Sequence, residues 1–131
     1  MDAKLQQEFA SLPDDAKAYL TSDAMKANCK QVYDKAGGQP LDRDTVTKIR
    51  ESFTAFVMPQ VSEETRAKLS AGLTQEQKDA VWNKLSEGKG SLDLPGFVKL
   101  TTGIYTHALA NGVQLENLQK YSNEWREQFS L

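Results

Sequence analysis

The chain has 131 residues, of which 39% are apolar and 26% charged, with a formal net charge of −2, the size and composition of one ordinary globular domain spanning 1–131. Acids and bases are interspersed, so there is no basic face to release counterions from nucleic acid or to hold an anionic membrane surface. No apolar run approaches the ~20 residues of a membrane-spanning helix, Met1-Asp2-Ala3-Lys4 does not read as a secretory signal, and Cys29 is the single cysteine. A soluble protein of the reducing cytoplasm is therefore expected.

Apolar residues recur at helical spacing nearly everywhere, and no segment alternates long enough to make a strand, which predicts an all-α fold. Leu5, Phe9 and Leu12 form a first short stripe, and Pro13-Asp14-Asp15 restarts a helix with acids in its first turn. From about Asp23 a further helix carries Met25, Cys29, Val32 and Tyr33 and stops at Gly37-Gly38-Gln39-Pro40. Asp42 caps the next, whose apolar face is Val46, Ile49, Phe53, Phe56 and Val57, and Pro59 ends it. Ser62-Glu63-Glu64 opens a short polar helix. Thr74 with Gln77 has the form of a capping box ahead of Val81, Trp82 and Leu85, in a helix that Gly88 and Gly90 interrupt. Asp93 and Pro95 start a helix placing Phe97, Leu100 and Ile104 on one face, and Asn111-Gly112 closes it. The last stripe is Leu118, Tyr121, Trp125 and Phe129.

Side chains that could carry chemistry do not gather in the sequence. His107 has no cysteine or carboxylate at i±4, which makes it a structural or surface histidine. Cys29 lies on an apolar stripe and reads as a small core residue. Asp14-Asp15 and Glu63-Glu64 serve helix first turns, and Gly37-Gly38 is followed by Gln-Pro, not by the Lys-Ser or Lys-Thr of a phosphate loop. An enzyme is not expected.

The most informative feature is an internal repeat: Leu41-Asp42-x-x-x-Val46-x-Lys48-Ile49-x-x-x-Phe53 returns 51 residues later as Leu92-Asp93-x-x-x-Phe97-x-Lys99-Leu100-x-x-x-Ile104. Each copy follows a glycine-containing loop, and each loop follows a helix ending near an aromatic, Tyr33 or Trp82. This plan, and the stretch Tyr33-Asp34-Lys35-Ala36-Gly37-Gly38-Gln39-Pro40-Leu41, resembles the EF-hand superfamily of calmodulin-like proteins over about residues 25–109. The resemblance implies two helix–loop–helix units, about 23–57 and 74–110, with extra N- and C-terminal helices, and an antiparallel bridge between Leu41 and Leu92 as the apolar eighth residues of the two loops. Leu73-Thr74 with Val81, Trp82 and Leu85 is also similar to the EH domain, a peptide-binding variant, although the 59–71 segment lengthens the spacing.

The departures from the family's pattern bear on function. With Asp34 at loop position 1, Ala36 and Gly38 stand at positions 3 and 5 and Thr45 at position 12, where a bidentate glutamate belongs, so only Asp34, the Pro40 carbonyl and Asp42 remain as calcium ligands, against the roughly 6–8 oxygens the ion takes. The second loop, begun at Leu85, puts Lys89 at position 5 and Gly96 at position 12; begun at Asn83 it is two residues too long. No cofactor is expected beyond calcium at that first loop. The resemblance then implies a calcium-independent or weakly responsive light chain or adaptor. It would hold a partner's amphipathic helix or short peptide in a groove lined by Val46, Ile49, Phe53, Phe56, Phe97, Leu100 and Ile104. The stripe Leu118, Tyr121, Trp125, Phe129 either packs on the core or forms a second interaction face. A calcium sensor or buffer using the first loop, and an all-α carrier of an apolar small molecule, are the alternatives.

Overall fold

The helix starts written in the sequence are the ones the chain uses. In the computed structural model, which describes residues 3–72 and 74–127, the fold is all-helical: α1 (Ala3–Ala10), α2 (Asp14–Leu20), α3 (Asp23–Lys35), α4 (Arg43–Val57), α5 (Glu63–Ala71), α6 (Gln75–Ser86), α7 (Leu94–Ala110) and α8 (Leu115–Asn123), with 3-10 turns at Met58–Gln60 and Trp125–Glu127. Ser22, Asp42, Ser62 and Asp93 each accept a hydrogen bond from the backbone N–H three residues on. Thr74 and Gln77 close a full capping box at 3.1 and 2.9 Å. Each such cap satisfies an otherwise orphaned donor and contributes about 1 kcal/mol.

Among the described residues the only β pairing is the antiparallel bridge Leu41–Leu92, closed by two backbone hydrogen bonds of 2.8 Å. It ties the start of α4 to the start of α7, and both leucines are buried. The helices before the two loops also end alike. Gly38 N–H donates to Tyr33 O, and Gly88 N–H to Asn83 O, each five residues back, which is the long bond of a Schellman stop. These equivalent bonds lie 50 residues apart and the leucines 51, so the second loop is one residue longer than the first. The two stops match, Gly37 at φ 116° and Glu87 at φ 54°, so the extra residue falls after them, where Lys89-Gly90-Ser91 stands against Gln39-Pro40.

Around the bridge, Met25, Cys29 and Val32 of α3, Val46, Ile49 and Phe53 of α4, and Phe97, Leu100 and Tyr105 of α7 are buried together with Leu118, Tyr121 and Trp125. Trp125 stacks on Phe97 with centroids 5.4 Å apart and an interplanar angle of 25°, and Tyr121 stacks on Phe56 at 4.3 Å and 20°. Phe53 bridges the two stacks, 5.2 Å from Tyr105 and 5.6 Å from Tyr121. The helix α7 is the hub, packed by α1, α2, α3 and α6. By contrast α5 buries no side chain fully and α6 only Ser86, so these two helices form an outer arm. Arg43 of α4 holds that arm by an ion pair to Asp79 of α6 at 2.6 Å.

Burial leaves a pH signature. The Cys29 thiol, ordinarily at 9.0, is pushed up to about 11 because the interior disfavours the thiolate. Burial raises Tyr19, Tyr105 and Tyr121 as well. Unfolding releases each group to its ordinary value, so at alkaline pH the unfolded state binds fewer protons and stability falls as pH rises. The Cys29 contribution is present in full below pH 9.0 and is lost as pH rises through about 11, with a slope of ~1.4 kcal/mol per pH unit for one fully differential group. Urea midpoints measured across this range should hold to about pH 9 and then decline; a midpoint still level at about pH 10.5 contradicts the buried thiol and phenols.

Candidate functional site

The first loop places its candidate calcium ligands in other employment. Asp34, in the last turn of α3, pairs with Lys30 at 2.7 Å. Asp42 Oδ1 accepts from the Thr45 N–H at 2.8 Å as the cap of α4, and that bond, with the Thr45 side chain, lowers its pKa. Pro40 lies exposed between them. Aligning the two helix stops makes Lys84, neither Leu85 nor Asn83, the counterpart of Asp34, which corrects both registers read from the sequence: the second loop carries an ammonium where the first carries a carboxylate. At its far end a Cβ on Gly96 would lie 2.8 Å from Leu92 Cδ1 and 3.0 Å from Asp93 Oδ1, so a side chain at the position for a bidentate glutamate requires Leu92 to move. Among the described residues no three His, Cys, Asp or Glu side chains gather to hold a metal.

The groove expected along Val46, Ile49, Phe53, Phe56, Phe97, Leu100 and Ile104 is not an open one. Val46, Ile49, Phe53, Phe97 and Leu100 are buried in the core, while Phe56 and Ile104 are half-buried. The chain's own C-terminal stripe covers their aromatic members: Tyr121 of α8 lies on Phe53 and Phe56, and Trp125, 1% exposed, on Phe97, with Leu118 buried beside them in the core. Those three residues pack inward and do not form an outer interaction face; Phe129, like Leu73, lies outside the described residues. Asn28 of α3 secures α8 by donating to Ser122 Oγ and Asn123 Oδ1, both at 3.1 Å, and Ser52 of α4 meets the Tyr121 hydroxyl at 3.3 Å.

An open cavity remains on the other side of α4 and α7, where α5 crosses them. This cleft has a volume of about 260 Å³. Its walls are Arg50, Phe53, Thr54 and Val57 from α4, Val61 from the connection, Thr65 and Leu69 from α5, and Gly103, Ile104, His107 and Ala108 from α7, with Asn111 at the end. The connection is fixed by Arg66, which donates to Met58 O at 3.0 Å and Val61 O at 3.1 Å. Of the expected groove only Phe53 and Ile104 reach this cavity. Arg50 is partly buried here, and among the described residues no hydrogen bond or ion pair engages its guanidinium. Burial lowers its pKa, yet an arginine stays charged at any physiological pH. His107 is the structural histidine anticipated: Nδ1 meets Glu8 Oε2 at 2.9 Å and so docks α1 on α7, with Asn111 donating to the His107 carbonyl oxygen at 2.7 Å.

The sequence carried a signal for the cleft that the apolar stripe obscured. Arg50, Thr54 and Val57 fall at i, i+4 and i+7, a second face of α4 beside the buried one, and that face is mixed, so hydrophobic periodicity passes over it.

Compared with protein-family models, with curated proteins and with solved structures, the chain finds no match. Its class rests on geometry alone: an all-helical fold with one β bridge at its centre. Among the described residues no helix is long and apolar enough to cross a membrane.

Proposed function

We propose that this protein is a non-enzymatic interaction module, an EF-hand-like helix pair that has lost its calcium switch and binds constitutively. The observation that carries the reading is the Leu41–Leu92 bridge, flanked on both sides by helix, loop and helix, together with loops whose ligand positions hold Ala36, Gly38, Thr45, Lys84, Gly88 and Gly96. Loss of ligands removes the metal-driven opening but leaves the paired helices as a fixed scaffold. The interior face that such pairs open to a partner helix is occupied by Trp125, so the binding surface is the α4–α5–α7 cleft. At about 260 Å³ it lies below the ~300–1,000 Å³ of drug-sized pockets and suits one large apolar side chain of a short partner segment.

Two measurements test this. Calcium at tens of micromolar should leave the melting temperature unchanged, since an ion stabilises only above its dissociation constant; a rise of several degrees favours a sensor or buffer using the first loop. Peptides selected by display on the protein in chelator should bind equally with calcium present and should lose binding to Leu69→Trp, which fills the cleft from α5. Selected peptides indifferent to Leu69→Trp would place the site elsewhere.

A further inference from the structure

We infer that the cleft reads the C-terminus of a partner polypeptide, with Arg50 on the terminal carboxylate and a large apolar last side chain against Val57, Leu69 and Ile104. The inference rests on the interaction-module reading and names what that module recognises.

Charge complementarity is the first ground. The cleft wall carries one arginine, Arg50, and one histidine, His107. His107 is already engaged by Glu8, and Glu8 does not itself line the cavity. Arg50 is the one cation there without a partner among the described residues, and it is set among Phe53, Val57 and Ile104, which cannot hydrate it. A guanidinium presents a planar fork of N–H donors that matches a carboxylate with two parallel hydrogen bonds. No carboxylate on the cleft wall competes for it. Shape is the second ground. The walls come from three helices, α4, α5 and α7, and about 260 Å³ holds about one residue. An internal Asp or Glu would have to bring two flanking residues to so small a space, whereas a terminal residue carries carboxylate and apolar side chain on one Cα.

The test is an NMR titration of the full-length protein with acetyl-Gly-Gly-Phe, as free acid and as C-terminal amide. The acid is expected to bind about 10- to 100-fold tighter than the amide, the ratio a charge-assisted hydrogen-bond pair supplies, and to shift the Arg50 side-chain N–H signal where the amide does not. In Arg50→Met the acid and amide should come within about twofold of each other, with Arg50→Lys in between; the Arg50 signal in the unmodified protein decides the matter should Arg50→Met fail to fold. Equal binding of acid and amide to the unmodified protein, abolished by Leu69→Trp, overturns the carboxylate inference and leaves the module standing. Absence of any binding by either peptide overturns the inference, and the display selection then decides the module reading separately. Octanoate that displaces the peptide acid at equal concentration also overturns the inference, in favour of a small-molecule carrier.

Discussion

Trp125→Ala is expected to lower stability by about 3 kcal/mol, the lower end of the ~3–5 kcal/mol for emptying a large aromatic site. Two opposed terms set that figure. The indole is 1% exposed and touches Phe97, Tyr105 and Tyr121, so its removal leaves a cavity at the junction of α3, α7 and α8. Its Nε1–H, however, is buried without an acceptor among the described residues, a state that costs about 1–3 kcal/mol and vanishes with the ring. Trp125→Phe separates them: it keeps most of the packing and removes the orphan donor, so its loss should be under half that of Trp125→Ala. Urea unfolding of the three proteins gives both numbers. In a Trp82→Phe background, emission belongs to Trp125 and should be blue-shifted in the free protein. A Trp125→Ala variant as stable as its parent, together with red-shifted Trp125 emission from the Trp82→Phe protein, would show the residue to be displaceable and would reopen the interior groove to a partner helix.

The same residue marks where sequence reading stops. Caps are local, so Asp42, Asp93 and the Thr74–Gln77 box could be read from residues three apart; the repeat marks Leu41 and Leu92 as counterparts, while their pairing is what the family resemblance implies. Periodicity also identified the apolar face of α4 and α7. It cannot say what covers that face, because the cover, Trp125, lies 28 positions from Phe97 (125 − 97) and packs through a tertiary contact with no trace in local spacing. The groove and the C-terminal stripe were two sides of one interface. The exact length of the second loop is hidden for a related reason: the extra residue lies among Lys89, Gly90 and Ser91, between the helix stop and Leu92, and only the equivalent backbone bonds at Gly38 and Gly88 locate it. Arg50 was invisible as a site residue since its meaning depends on α5 folding back across α4.

Leu92→Ala is expected to cost about 2–5 kcal/mol, the range for truncating a buried leucine, and its coupling to Gly96 makes the prediction specific. Leu92 is 1% exposed, and its Cδ1 lies 2.8 Å from where a Cβ on Gly96 would stand. The leucine therefore packs on a bare Cα one turn into α7. The bridge itself uses backbone N–H and C=O and can survive the substitution, so the loss measures side-chain packing at the centre of the repeat. Gly96→Ala alone should cost about 1–3 kcal/mol through overpacking, offset by up to ~1 kcal/mol of helix propensity gained over glycine. With Leu92 already truncated, the alanine methyl meets no Cδ1, only the 3.0 Å approach to Asp93 Oδ1 stays, and the propensity gain remains. The double variant Leu92→Ala/Gly96→Ala should thus be no less stable than Leu92→Ala, a coupling of about 0.5–3 kcal/mol relative to the sum of the single effects. Strict additivity in chemical denaturation would mean that Leu92 does not rest on Gly96, and would remove the packing reason against a calcium-binding glutamate at that position.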